Sequence, residues 1–99
     1  MNTKEDIETV PIGDKEIKSY INACKYAFNN SNEVLLVSRG NNIKRAIDVA
    51  AIFIRQYLEN PTYEITIGSE GYEERNVSTL EILLKGVYKD ESKSLLKED

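Results

Sequence analysis

Arg39, Lys44 and Arg45 surround a Gly40-Asn41-Asn42 turn in "SRGNNIKRAIDVA", residues 38–50. Three cations beside a turn that opens a helix suit one chemistry above others, the binding of an anion such as phosphate. Gly40 permits a tight or left-handed backbone, and Asn42 has the side chain of a helix N-cap. The first N–H groups of the helix lack intrahelical acceptors. Lys44 and Arg45 face the positive end of the helix dipole, which costs roughly 0.3–1 kcal/mol each when exposed. A bound anion would reverse that sign, and Asn41 and Asn42 would add polar donors. No G-x-x-x-x-G-K-[ST] pattern is present, so this is not a nucleotide P-loop. An ordinary solvated turn remains open as the alternative.

Other chemistries have less support. Histidine is absent, which removes the commonest general base and metal ligand, along with Ser-His and Cys-His nucleophiles. The single cysteine, Cys24, falls on an apolar helix face, where a buried inert thiol is expected. Asp48 stands four residues after Lys44 and should pair with it. The expectation is therefore no enzyme, no catalytic residue, no metal, no cofactor and no small-molecule substrate.

The elements that must position the turn are legible from periodicity. Length allows one domain, placed at residues 10–88, with a flexible tail at 1–9 and a charged tail at 89–99. "VPI" reads as a short edge strand because Pro11 cannot donate to a ladder. Asp14 is expected to cap a first helix whose face is Ile17, Tyr20, Ile21, Cys24, Ala27 and Phe28, with Lys15 and Lys18 on its polar side. "EVLLVS" reads as a buried strand, and a second helix runs from about Ile43 to Leu58. Strands around Tyr63–Ile67 and Leu80–Leu84 then form a hairpin whose loop is the polar "SEGYEERN". The order β-α-β-α-β-β predicts an α/β fold of the α+β two-layer sandwich type, with two helices on one face of a mixed sheet.

The second helix carries more apolar residues than one face needs. Ile43, Ile47, Ala50, Ile54 and Tyr57 are assigned to the sheet. Val49, Ile52 and Phe53 fall partly off that stripe, and Leu83 has outward parity on the last strand. Val49, Ile52, Phe53 and Leu83 are therefore expected homodimer contacts, with a broad core stripe as the alternative. No apolar run approaches the ~18 residues of a membrane span, and the N-terminus has no signal-peptide core. The expected location is the cytoplasm, without a membrane partner.

Charge is segregated within a net of -4. Residues 15–55 hold seven basic and three acidic side chains, while 59–81 hold six acidic and one basic. One basic and one acidic surface would attract different partners.

Three blocks carry a resemblance. "SRGNNIKRAIDVAAI" resembles the "ARG-x-x-I-x-[KR]-A-V-D-x-x-E-I" block of the Alba family of archaeal chromatin proteins. "PIGDKEIKSYINA" is similar to its "IGKKPVMNYV" opening, and "NVSTLEILLK" to its "RVSTIEI" strand. The resemblance implies the same sandwich, shared with the C-terminal domain of translation initiation factor three. It also implies a dimer that binds DNA or RNA and associates with the chromosome. Arg39 and Arg45 match basic family positions, Lys15 matches the second of a Lys-Lys pair, and Lys44 is an addition. Asp14 replaces the pair's first lysine, and Asn41 falls where many members have arginine. Tyr57 falls on an aromatic position used in some members for dimer–dimer contact, so the resemblance adds it to the expected interface. The family's longer basic hairpin arm is replaced by the acidic "GSEGYEERN". Lys15, Lys18, Arg39, Asn41, Asn42, Lys44 and Arg45 are thus the expected nucleic-acid contacts, mainly to backbone phosphate. Reduced or selective affinity is expected. A protein-interaction or assembly module that kept the fold and lost most of that affinity is the alternative.

Overall fold

The computed structural model describes residues 7–72 and 74–89. The expected tails fall largely on residues 1–6 and 90–99, outside the described residues. The elements are β1 (Thr9–Pro11), α1 (Ile17–Asn30), β2 (Glu33–Arg39), a 3-10 turn (Gly40–Asn42), α2 (Ile43–Tyr57), β3 (Leu58–Tyr72) and β4 (Arg75–Tyr88). They form an α+β sandwich with one four-stranded sheet in the order β1-β2-β4-β3. β1 pairs with β2 in parallel, while β4 pairs antiparallel with both β2 and β3. Pro11 sits on the edge strand, where its missing N–H costs no ladder bond. The strand is held instead by Leu35 N–H to Glu8 O at 2.9 Å and Ile12 N–H to Val37 O at 2.8 Å.

Parallel strands joined by a helix point the same way. The turns that leave β1 and β2 therefore lie at one end of the sheet, and both helices start there. This topology brings two distant sequence blocks, 12–18 and 39–45, to one end of the molecule.

The buried face of α1 is the expected one: Tyr20, Ile21, Cys24, Ala27 and Phe28. The buried face of α2 differs. Ala46, Val49, Ala50 and Phe53 are buried, spaced i, i+3, i+4, i+7. Phe53 is fully enclosed, with ring centroids of Phe28 and Tyr57 at 5.3 and 5.2 Å. Val49 and Phe53 have no surface to offer a second chain, so their assignment to a dimer interface is corrected. Ile52 and Tyr57 are half-buried against the same core. Ile47, assigned to the sheet, is exposed instead.

The polar stretch read as a hairpin loop is also corrected, because pairing runs through it from Gly68↔Thr79 to Tyr72↔Arg75. Alternating pairs place Tyr63, Ile65 and Ile67 on the helix side, opposite Leu84, Ile82 and Leu80. Glu64, Thr66 and Leu83 occupy the helix-free side. A strand the length of β3 spans roughly 50 Å and a helix the length of α2 only about 22 Å. The helix therefore cannot cover the hairpin, and Ile67 remains 78% exposed.

Cys24 is wholly enclosed, and burial pushes its thiol from 9.0 up to about 12. Above pH 9 the unfolded chain releases this proton and the folded chain keeps it. Stability is thus unaffected by this group below about pH 9 and falls between pH 9 and 12, by up to about 1.4 kcal/mol per pH unit. Urea unfolding at pH 8 and at pH 10.5 (roughly midway through the window) checks this against Cys24→Ala, which should remove that part of the alkaline loss.

Candidate functional site

The two strand-to-helix turns form the site. After β2, Gly40 takes a left-handed φ of 59°, which favours glycine, and the chain enters α2 through the 3-10 turn. Asn42 occupies the cap position, but its side chain makes no cap bond. Its Oδ1 instead accepts from Arg45 Nη1 at 3.3 Å. At the other turn, α1 starts at Ile17 with Glu16 at the cap position, again without a side-chain cap bond. The expectation that Asp14 caps this helix is corrected. Gly13 N–H and Lys15 N–H both donate to the Tyr20 hydroxyl, at 2.8 and 3.0 Å, which keeps this stretch a loop. Neither helix has an acidic residue in its first turn. Two N-termini that no side chain caps thus open at the same end of the sheet.

The cations differ in engagement. Lys15 and Lys18 are exposed and make no ion pair among the described residues. Arg39 Nη1 lies 3.2 Å from Glu70 Oε1, with 66% and 58% of the two side chains exposed. Lys44 Nζ lies 2.9 Å from Asp48 Oδ2, the expected i, i+4 pair. Exposed pairs of this kind are worth roughly 0–1 kcal/mol, so an incoming phosphate can displace either carboxylate. Arg45 is turned inward, where its Nη1 also donates to Gly13 O at 2.8 Å. Asn41 is exposed.

β2 ends at Arg39, opposite Thr79, and the β3–β4 hairpin continues beyond it. Four further steps of strand carry the arm roughly 14 Å past the turn. Glu70 thus sits at the base of an acidic arm beside the basic turn.

Sequence reasoning placed Lys15, Lys18, Arg39, Asn41, Asn42, Lys44 and Arg45 together, and topology puts all of them at this end. It missed Tyr20 as a loop anchor and Glu70 as the partner of Arg39. It also missed the apolar surface of Ile47, Ala51, Ile54, Tyr63 and Ile65. These residues, with Ala50 and Ile82, line a groove of about 390 Å³ between α2 and β3. The alternation of Tyr63, Ile65 and Ile67 was the available signal for it.

Fold and site together define a two-layer α+β sandwich with a cationic end and a protruding hairpin. A family model described as Alba matches residues 8–69, and the chain belongs to that family. It is 41% identical over 86 residues to the DNA/RNA-binding protein Alba of Nitrosopumilus maritimus, covering 79% of this chain and 90% of the relative. It is 37% identical over 82 residues to the DNA/RNA-binding protein Alba of Methanoculleus marisnigri, covering 77% and 90%. Among solved structures, Alba from Thermoplasma volcanium superposes with a TM-score of 0.66 at 27% identity, over 79% of this chain and 99% of the other. ALBA1 from Trypanosoma brucei gives 0.72 at 17% identity, over 92% and 79%, a likeness of fold alone.

Proposed function

We propose that the chain is a homodimeric DNA- or RNA-binding protein that grips backbone phosphates with its cationic end. Lys15, Lys18, Arg39, Asn41 and Lys44 of each protomer face the ligand, while Asn42 and Arg45 support them from behind. The carrying observation is the pair of helix N-termini that no side chain caps, opening together among these cations. Family membership and the names of the relatives support the same reading. Association with the chromosome follows from it. Among the described residues no helix is long and apolar enough to cross a membrane.

The dimer is proposed on the α2–β3 groove. Ile47, Ala51, Tyr63 and Ile65 are exposed there, on a small chain that has few other ways to bury them. A two-fold axis through the groove would pair the same surface on both copies. Leu83 points to the opposite side of the sheet and takes no part.

Anisotropy titrations with labelled duplexes of ~30 bp, DNA and RNA, test the function as salt is raised from ~50 to ~300 mM. Lys15, Lys18, Arg39 and Lys44 from two protomers make up to about eight phosphate contacts, giving a log-log slope of up to about -7 on DNA. The acidic arm favours the competing reading, an assembly module without a nucleic-acid ligand. That reading requires no binding of either duplex at ~100 μM protein and low salt, a result that would overturn the proposal.

A further inference from the structure

The loop that carries Lys15 has no regular structure, yet it is held at three points. The Tyr20 ring is buried in the core, and its hydroxyl accepts the N–H groups of Gly13 at 2.8 Å and Lys15 at 3.0 Å. Arg45 Nη1 donates to the Gly13 carbonyl at 2.8 Å. The same nitrogen donates to Asn42 Oδ1 at 3.3 Å, so one guanidinium ties the first loop to the second turn. Packing does not explain this arrangement. A phenylalanine ring would fill the Tyr20 site equally well, and a basic residue at position 45 used only for phosphate would have its charge in solvent. Instead the hydroxyl and the guanidinium satisfy three backbone groups of one short segment. A hydroxyl accepting two N–H bonds fixes both the position and the direction of the loop.

We propose that Tyr20 and Arg45 are positioning residues that clamp the Gly13–Lys15 loop against the Gly40–Asn42 turn. The clamp makes the two turns one binding surface and sets where Lys15 stands relative to Arg39 and Lys44. Arg45 then acts through the loop rather than on the ligand. This rests on the nucleic-acid reading above. Binding of a rigid, regularly spaced phosphate chain depends on such spacing, whereas an untethered lysine would lose part of its contact to disorder.

Tyr20→Phe is the direct test because it keeps the ring and leaves the surface charge unchanged. With a ~30-bp DNA duplex as probe, its affinity is expected to fall about threefold or more. In a Lys15→Ala background the same change should have no further effect, because the clamp has nothing left to place. A purely structural role would lower the melting temperature equally in both backgrounds without this dependence. Hydrogen exchange of the wild-type chain gives a second measurement that needs no variant, with the Gly13 and Lys15 amides expected to be protected. Failure of the wild-type chain to bind either duplex overturns the nucleic-acid reading, and the clamp with it. Wild-type binding with unprotected amides overturns the clamp alone. So does a folded Tyr20→Phe variant that binds like wild type, or one whose loss multiplies with that of Lys15→Ala.

Discussion

Ile65→Glu is expected to convert the proposed dimer into a monomer and to lower duplex affinity by about 10²-fold or more. Ile65 is 50% exposed in the single chain, so a glutamate there can stay in water and the monomer should fold. In the dimer it would sit in the groove with Ile47, Ala51, Ile54 and Tyr63, where a desolvated carboxylate finds no cation to pair with. Affinity falls because two linked cationic ends act at a raised effective concentration, and separated ends do not. Analytical ultracentrifugation reads the assembly, and anisotropy reads the affinity. Leu83→Thr, on the other side of the sheet, should leave both unchanged. A dimer that survives Ile65→Glu would place the interface elsewhere.

The second large effect runs in the other direction. Replacing Glu70 by Gln and Asp48 by Asn together should tighten duplex binding by about tenfold, more at low salt than at high. In the folded chain each carboxylate holds a cation that phosphate needs, Arg39 at 3.2 Å and Lys44 at 2.9 Å. Each exposed pair is worth about 0.2–1 kcal/mol, and a dimer contains each twice, so roughly 1–4 kcal/mol of competition is removed. Loss of Glu70 also removes a repulsion beside the ligand's path. The cost to α2 of losing its i, i+4 pair is about 0.3–0.5 kcal/mol and should not unfold the chain. Unchanged or weaker binding would show that these carboxylates do not compete with phosphate.

The arrangement of elements was legible because each has a period of its own. Val10 and Ile12 alternate around Pro11, "EVLLVS" holds a short continuous apolar run from Val34 to Val37, and α1 shows one clear stripe from Ile17 to Phe28. α2 offered no such phase. From Ala46 to Ile54 only Asp48 is polar, so a stripe through Ile47 and Ile54 scores as well as one through Val49 and Phe53. Only the packing of Phe53 against Phe28 and Tyr57 selects the second. The length of the arm was hidden for a different reason. A two-stranded ribbon with water on both faces needs no alternation, so "SEGYEERN" looks like a loop although it is largely strand. At the site, residue type and helix position located the cations. The inward turn of Arg45 depends on a carbonyl 32 residues away, which no local pattern reveals.

β3 lies at the edge of the sheet and leaves one row of its N–H and C=O groups without a strand beside it. Such an edge is a template on which another unfolded or extended chain can add, and a long one invites aggregation. Several features blunt it. Asn60 takes a left-handed φ of 53° at a break in the ladder, and Pro61 next to it has no N–H to offer. Farther out, Glu64 and Glu70 put negative charge along the strand. The carboxylates that handicap the arm as a phosphate ligand thus also oppose the zipping of one arm onto the next.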